Sequence, residues 1–348
     1  MFLSYQNVSL VDWNFLAPTQ WITSDEIESE LNVLYERLKL PPGRIELMTG
    51  IKRRGVFPLG TLPSHLASEA CRPIMERHSS KPIHLLIYTG VSRDCLEPST
   101  ASRVHHQLKL NPNSINFDIS NACLGFMSGI EIASQMIEKG SIEYALICSG
   151  ENGHPLLAQT IKDLKTNQTI SRQELKKYFA SLTIGSGAAA VLLGPSHLHP
   201  EAPKLQFSHS MAHTQATYLC QGDGNLQGMW METDSENLLK EGLVLAKQHW
   251  SDLKLHTDWF QEYHHLFMHQ VGRAHEMASI DLLKLKSHKL WNIFEDYGNM
   301  GSVALPTTLM LAAKNEKLKS KEKILLLGIG SGLNSLIAGI EWNYTHRT

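Results

Sequence analysis

The sequence of 348 residues lacks the cysteine and histidine spacings of a structural metal site. Its five cysteines are an odd number and no two of them form a CxxC pair, which disfavours both a disulfide framework and a zinc knuckle. Eighteen histidines are many, but no two of them form an HExxH motif. We therefore expect neither disulfides nor a bound metal ion.

Long hydrophobic runs and a dominant sign of charge are also missing. The longest apolar stretches, such as 188–193 and 324–327, are far shorter than the roughly 20 residues of a membrane-spanning helix. Lys and Arg number 32 against 34 Asp and Glu, so no basic face for nucleic acid is expected. Residues 1–13 lack the basic region and apolar block of a secretory signal. These absences predict a cytoplasmic protein without a transmembrane segment or a nucleic-acid partner.

Short apolar strands alternate with helix-length amphipathic stretches, and this pattern occurs twice, as is typical of a mostly parallel sheet covered by helices. We predict strands at 4–11, 84–88, 115–119, 144–148, 188–193, 205–208, 266–268, 291–294 and 324–327. We predict helices at 23–38, 61–77, 99–108, 124–138, 236–249, 274–285 and 303–314. The polar, lysine-rich segment 151–181 is interpreted as an excursion beside a site. The order of elements predicts an α/β fold of two similar halves, 1–194 and 195–348.

Cys123 lies between a predicted strand and the predicted helix 124–138, which is apolar on nearly all sides and should be central. A thiol at a helix N-terminus faces the positive end of the helix dipole, which lowers its pKa below the free value near 8.5. The small neighbours Ala122 and Gly125 leave room for a substrate. A buried structural cysteine is the commoner fate of a free thiol, so both interpretations stay open.

His269 and Asn299 occupy similar junctions between a strand and a helix. Taken singly, they are more simply explained as a hydrogen-bonded core histidine and an asparagine in a glycine-flanked turn. Sites in open α/β sheets form at the carboxyl ends of strands, so Cys123, His269 and Asn299 can converge. The thiolate could then take an acyl group, while N–H donors of the other two stabilise an oxyanion or enolate.

The glycine-rich segment 328–333 reads GIGSGL. Its spacing is GxGxG rather than the dinucleotide-binding GxGxxG, and no suitably placed acidic residue follows it. Two interpretations are open. The segment is either a tight loop between strands or a close backbone approach of Gly330, Ser331 and Gly332 to an acylated cysteine.

These segments together resemble the thiolase superfamily, specifically the 3-oxoacyl-[acyl-carrier-protein] synthase III family, across essentially the full chain. The matching segments are 49–54, 121–126, 185–190, 269–270, 298–299 and 328–333. The resemblance implies a homodimer with a five-layered αβαβα fold built from two duplicated halves. It also implies that Cys123 is the acylated nucleophile and that His269 and Asn299 activate or stabilise the carbanion of the second substrate. No permanently bound cofactor is implied, since the thioesters of CoA or of acyl-carrier-protein phosphopantetheine are substrates.

Within the superfamily, segment 91–101 is similar to the condensing enzymes of bacterial olefin biosynthesis (OleA type), which join two fatty acyl-CoA molecules without decarboxylation. That resemblance implies that Glu97 removes the α-proton and reaches the site across the dimer interface. A malonyl donor forms its carbanion by losing carbon dioxide, whereas an ordinary acyl thioester needs a base. The structural alternative is that Glu97 is a helix-start residue ahead of Pro98.

We therefore expect an acyltransferase that performs a Claisen condensation, with two acyl-CoA molecules as substrates. The alternatives are a decarboxylative synthase III that uses malonyl-acyl-carrier protein, a Cys-His-Asn hydrolase, and an inactive partner subunit. Arg53, with Lys52 and Arg54, is a candidate contact for the CoA phosphates. Four methionines and a tryptophan could line an acyl channel or simply pack in the core: Met127, Met211, Met229, Trp230 and Met231.

Overall fold

The computed structural model describes residues 1–225 and 228–343. Its strands are β1 (Phe2–Ser4), β2 (Ser9–Leu16), β3 (Gln20–Thr23), β4 (Arg53–Val56), β5 (Leu85–Tyr88), β6 (Ile115–Asp118), β7 (Ala145–Glu151), β8 (Gly187–Gly194), β9 (Lys204–Ala212), β10 (Cys220–Asn225), β11 (Gly228–Thr233), β12 (His265–Met268), β13 (Leu290–Trp291), β14 (Glu322–Gly330) and β15 (Asn334–Trp342).

The α-helices are α1 (Ser24–Glu30), α2 (Asn32–Arg37), α3 (Arg44–Thr49), α4 (Pro63–Arg77), α5 (Thr100–Gln107), α6 (Gly125–Glu138), α7 (His154–Thr166), α8 (Arg172–Leu175), α9 (Phe179–Leu182), α10 (Ser235–Leu253), α11 (Arg273–Leu283), α12 (Phe294–Tyr297) and α13 (Ala304–Lys314). Short 3-10 turns cover Ala122–Leu124, Lys176–Tyr178, Thr214–Leu219, Ser287–Lys289 and Gly301–Val303. Among these described helices, none is both long and apolar enough to cross a bilayer.

The main sheet repeats one topology in the two halves of the chain. The first half contributes the order β6-β5-β7-β8-β2 and the second half the order β13-β12-β14-β15-β9. Numbered within its own half, each set runs 3-2-4-5-1, with parallel pairs at the 3-2 and 2-4 positions and antiparallel pairs at 4-5 and 5-1. One residue pair, Ser9 with Lys204, joins the two sets.

The helices form three layers around the two sets of strands. Apolar residues of α6 and α13, such as Phe126, Ile130 and Leu305, share one buried cluster with strands of both halves. Helix α4 and α5 cover the outer face of the first set, while α10 and α11 pack on the second. The predicted five-layered αβαβα fold and the central position of helix 124–138 are thus confirmed. The division into units 1–194 and 195–348 remains a prediction.

Several element predictions were wrong in informative ways. The strand predicted at 4–11 is two strands, β1 and β2, and the helix predicted at 23–38 is interrupted at Leu31 between α1 and α2. The strand predicted at 291–294 ends at Trp291, and Phe294 begins a helix instead. The hairpin of β10 and β11 and the long strand β15 were not predicted. Strand β15 is buried along most of its length, so it lacks the alternation of a half-exposed strand.

Candidate active site

A cavity of about 890 Å³ lies where the carboxyl ends of strands from both halves meet. This volume is near the top of the usual range for small-molecule pockets. Cys123, His269 and Asn299 all line it. The three side chains therefore converge as predicted, but only Cys123 and His269 follow strands, since the short helix α12 and not a strand precedes Asn299.

Cys123 sits in a 3-10 turn, Ala122–Leu124, that runs directly into α6. Asn121 fixes this turn, because its side-chain Nδ2 donates to Ser128 Oγ at 2.9 Å and its Oδ1 accepts from Asn334 Nδ2 at 3.0 Å. Gly125 is required there, since an added Cβ would lie 2.2 Å from the carbonyl oxygen of Thr89. The nucleophile candidate is thus held by contacts from both halves of the chain.

The expectation of a lowered pKa for Cys123 was wrong. Burial, reinforced by the Glu151 carboxylate, raises the pKa of this thiol to about 12. The macrodipole effect at a helix start is worth at most a unit or so for an exposed group, whereas burial of a charge can shift a pKa by several units. The resting thiol is therefore protonated near neutral pH.

This assignment predicts the pH dependence of alkylation. Between pH 7 and 10, labelling of Cys123 by iodoacetamide should accelerate about tenfold per pH unit without a plateau, because only thiolate reacts and its fraction rises as the pH approaches the pKa. Mass spectrometry of the Cys123 peptide measures the rate, and glutathione serves as the reference thiol. A plateau below pH 9 would show that the thiol has an ordinary or lowered pKa.

His269 directly follows β12, and its backbone N–H donates to Leu327 O at 2.9 Å. The side chain is buried, and burial, reinforced by His275, lowers its pKa to about 4. Its Nδ1 is buried without a hydrogen-bond partner. The next residue, Gln270, anchors the strand end by accepting from Ile293 N at 2.8 Å and donating to Thr308 Oγ1 at 3.2 Å. The imidazole therefore faces the cavity as a neutral group.

Asn299 is oriented by backbone and side-chain contacts. Its N–H donates to Thr183 O at 2.9 Å, and its carbonyl accepts from Gly185 N at 2.8 Å. Its side-chain Oδ1 accepts from Gly301 N at 3.1 Å. Since the amide oxygen is engaged, the Nδ2 amino group is the part of the side chain left for a ligand in the cavity.

The glycine-rich segment is a tight loop between strands, which was one of its two sequence interpretations. It forms the turn between β14 and β15, and it also packs against the Cys123 turn. A Cβ on Gly330 would lie 3.2 Å from Leu124 N and 3.3 Å from Asn121 O. Gly330 and Ser331 line the cavity, whereas Gly332 does not. Their contact with substrate stays a prediction.

Glu97 and Arg53 lie outside the cavity lining of the single chain. Glu97 is exposed, but all of the six residues before it except Asp94 contribute to the cavity wall. Arg53 Nε pairs with Asp296 Oδ1 at 3.0 Å. The roles of Glu97 as a base and of Arg53 as a phosphate contact therefore remain predictions.

The other residues predicted to contact CoA phosphates or to line an acyl channel lie partly at the cavity and partly in the core. Arg54 is fully buried and donates to Ile22 O and Ser24 Oγ, so a phosphate contact by Arg54 is excluded. Three side chains of strand β11, Met229, Trp230 and Met231, line the cavity, and their role in an acyl channel stays a prediction. Met127 belongs to the central core, and Met211 packs in a smaller apolar cluster.

Sequence analysis missed Glu151, a buried carboxylate at the end of β7 that lines the cavity. Its Oε1 accepts from Val91 N at 2.9 Å and from Ser302 Oγ at 2.7 Å, and its Oε2 accepts from Ser92 N at 3.0 Å. It thus joins the segment that leads to Glu97 with the turn that follows Asn299. The signal for it was the acidic residue that ends an otherwise buried strand.

Two models of one protein family match parts of the chain. The model of the 3-oxoacyl-[acyl-carrier-protein] synthase III family matches residues 117–215, and the model of its C-terminal region matches residues 260–342. The chain belongs to this family. The recognition made from the sequence motifs is therefore confirmed, and the enzyme is an acyltransferase with a thiolase-like fold.

Two relatives cover almost the full length of the enzyme. The acyl-CoA:acyl-CoA alkyltransferase of Xanthomonas campestris is 35% identical over 341 residues, which are 97% of this chain and 99% of that protein. The protein of the same description from Shewanella oneidensis is 33% identical over 338 residues, or 94% and 96% of the two chains.

Solved structures of Xanthomonas campestris OleA have the same fold. One with bound lauric acid and lauroyl-CoA superposes with a TM-score of 0.92 at 34% identity, and covers 97% of this chain and 100% of that one. Others, in which a cysteine or a glutamate is replaced, reach TM-scores of 0.93, also at 34% identity, and cover 98% of each chain.

Proposed function

We propose that the enzyme joins two fatty acyl-CoA molecules by a non-decarboxylative Claisen condensation. The observation that carries the proposal is a single large cavity on which Cys123, His269 and Asn299 meet the segment that leads to Glu97. The relatives named for acyl-CoA:acyl-CoA alkyl transfer support this substrate class. In this proposal the two acyl-CoA substrates supply all the reacting groups besides those of the protein, and no permanently bound cofactor takes part.

In the first half-reaction the Cys123 sulfur attacks the carbonyl carbon of one acyl-CoA. The thiol proton passes through the neutral His269 imidazole to the departing CoA sulfur, so CoA leaves as a thiol and the acyl group stays on Cys123. With a cysteine pKa of about 12 and a histidine pKa of about 4, both groups start neutral at pH 7. The transfer therefore leaves no unpaired charge in a buried site, where such a charge is costly.

In the second half-reaction another acyl-CoA places its thioester oxygen against N–H donors of His269 and Asn299. A carboxylate removes the α-proton, and the donors stabilise the enolate oxygen as it forms. The enolate carbon attacks the Cys123 thioester, the carbon–sulfur bond breaks, and the cysteine sulfur recovers a proton. The product is a β-ketoacyl-CoA.

Glu97 is the base in this scheme, supplied by the second protomer of a homodimer. In the single chain its side chain is exposed, while its neighbours Cys95 and Leu96 line the cavity. Glu97 precedes Cys123 by 26 residues, and the replaced glutamate of Xanthomonas campestris OleA precedes the replaced cysteine by the same interval. This agreement supports the transfer of the role to Glu97.

The other functions have less support. A decarboxylative synthase III remains the second candidate, because the chain matches the synthase III family models, and its carrier-protein donor would be the alternative partner. The family and the relatives are acyltransferases, which gives no support to a Cys-His-Asn hydrolase or to an inactive subunit.

The deciding experiment supplies the purified enzyme with lauroyl-CoA alone or with added malonyl-CoA or malonyl-carrier protein. We expect an acyl mass on the Cys123 peptide, released CoA and a β-keto product from lauroyl-CoA alone, and no carbon dioxide. Cys123→Ala is the matched blank. Product and carbon dioxide only in the presence of a malonyl donor would instead establish the decarboxylative reaction.

A further inference from the structure

A second group of titratable side chains lies outside the cavity, on the second half of the chain. His209 lies on β9, Asp252 lies in the last turn of α10, and His256 follows that helix. None of the three lines the active-site cavity, and the proposed condensation uses none of them.

The distances suit a shared cation. One ligand atom of each side chain lies within 4.8 Å of the other two. His209 Nε2 lies 2.9 Å from Asp252 Oδ2, and His256 Nε2 lies 3.7 Å from the same oxygen. Ligand atoms at about 2.0–2.1 Å from a tetrahedral zinc ion are separated by about 3.3 Å. The two measured separations bracket this value.

His209 supplies an independent reason to expect a ligand. Its side chain is 0% exposed, yet neither ring nitrogen has a hydrogen-bond partner. Although Nε2 is 2.9 Å from the carboxylate, the ring is not aimed at that oxygen as a hydrogen bond requires. A short contact without hydrogen-bond alignment is typical of two side chains that bind the same metal ion. Each lone pair then points to the ion, and neither points along the line between the two donor atoms.

The proposed site lies beside an aromatic ring and is partly open to solvent, since the side chains of His256 and Asp252 are 40% and 39% exposed. The Phe2 ring stacks on His256 at 4.9 Å and meets His209 edge-on at 5.8 Å. Among the described residues, no lysine or arginine forms an ion pair with Asp252. The N-terminal ammonium of Met1 donates to Ser210 O at 2.7 Å rather than to the carboxylate, although burial and the charge of this ammonium lower the pKa of His209. The carboxylate is therefore available to a cation.

We propose that His209, Asp252 and His256 bind a divalent transition-metal ion of the zinc type. Two imidazoles and a carboxylate are a common ligand set for zinc, and a fourth position remains for water. The ion would fasten β9 to the end of α10. This proposal replaces the expectation of no bound metal, which rested on sequence motifs that cannot detect ligands from separate elements.

The test measures metal binding by the full-length enzyme after treatment with a chelator and its removal. In calorimetry, Zn²⁺ should bind at one equivalent to this site, whereas Mg²⁺, which prefers oxygen ligands, should not bind. Co²⁺ should give an absorption spectrum without a thiolate charge-transfer band, which separates this site from Cys123. Zn²⁺ should also raise the melting temperature, since it binds the folded state.

Two of the proposed ligands are partly exposed, so they can be substituted without opening the core. His256→Ala and Asp252→Asn should each weaken Zn²⁺ binding by at least about tenfold and remove the thermal shift. His288→Ala, at an exposed histidine on a 3-10 turn, should change neither. Affinity that is unchanged in both ligand variants, or a Co²⁺ spectrum dominated by thiolate, would overturn the proposal.

Discussion

Replacement of Glu97 by glutamine should abolish condensation while Cys123 is still acylated at a rate close to that of the unaltered enzyme. The amide keeps the size of the side chain but cannot remove the α-proton, and loss of a general base typically costs about 10²–10⁴-fold in rate. Because Glu97 is exposed in the single chain, the change should not disturb folding. Acyl-enzyme is followed by intact-protein mass spectrometry and product by chromatography. Glu36→Gln, at an exposed glutamate of α2, is the matched control.

Mixed dimers show whether the base comes from the partner protomer or from the same chain as Cys123. Protomers with Glu97→Gln are combined with protomers with Cys123→Ala, each inactive alone. If the base comes from the partner, each mixed dimer regains one complete site, so random exchange should restore about a quarter of the original activity. No recovery, despite mixed dimers in the sample, would place the base within the same chain. Full activity of Glu97→Gln would show that Glu97 is not the base and has a structural role.

Replacement of Glu151 should have the second large effect, on both stability and rate. Its carboxylate accepts the backbone N–H groups of Val91, Ser92 and Ser302 and the hydroxyl of Ser302. In Glu151→Gln, the amino group faces N–H donors, and each buried group left without a partner costs about 1–3 kcal/mol. The 91–92 segment and the Asn299 turn should then shift, and a displacement of about 1 Å can cost 10²-fold in rate.

The alkylation rate of Cys123 separates an electrostatic role of Glu151 from a purely structural one. Its charge contributes to the raised pKa of Cys123, so Glu151→Gln should lower that pKa and make alkylation at pH 8 faster. Glu151→Asp retains the charge and should keep the slow alkylation, although its shorter side chain reduces stability. Unaltered melting temperature, turnover and alkylation in Glu151→Gln would contradict this account.

The sequence predicted most of the fold and the three converging side chains because these depend on local signals. Cys123 and His269 follow apolar strands, and Asn299 lies in a glycine-flanked turn, so the local sequence is enough to find them, although a short helix precedes Asn299. The pKa of Cys123 depends on burial by distant segments, which a helix-start argument cannot include. Glu151 was missed for the same reason, since its partners are about 60 and 150 residues away.

The repeated topology has a further consequence for the nucleophile. The 3-10 turn Ala122–Leu124 precedes α6, and the turn Gly301–Val303 precedes α13, so Cys123 and Ser302 occupy topologically equivalent positions in the two repeats. Ser302 is buried, and its hydroxyl donates to Glu151, while Cys123 borders the cavity. The repeated topology thus provides two equivalent backbone positions for a nucleophile. In one of them Cys123 borders the cavity, and in the other Ser302 supports the Glu151 carboxylate.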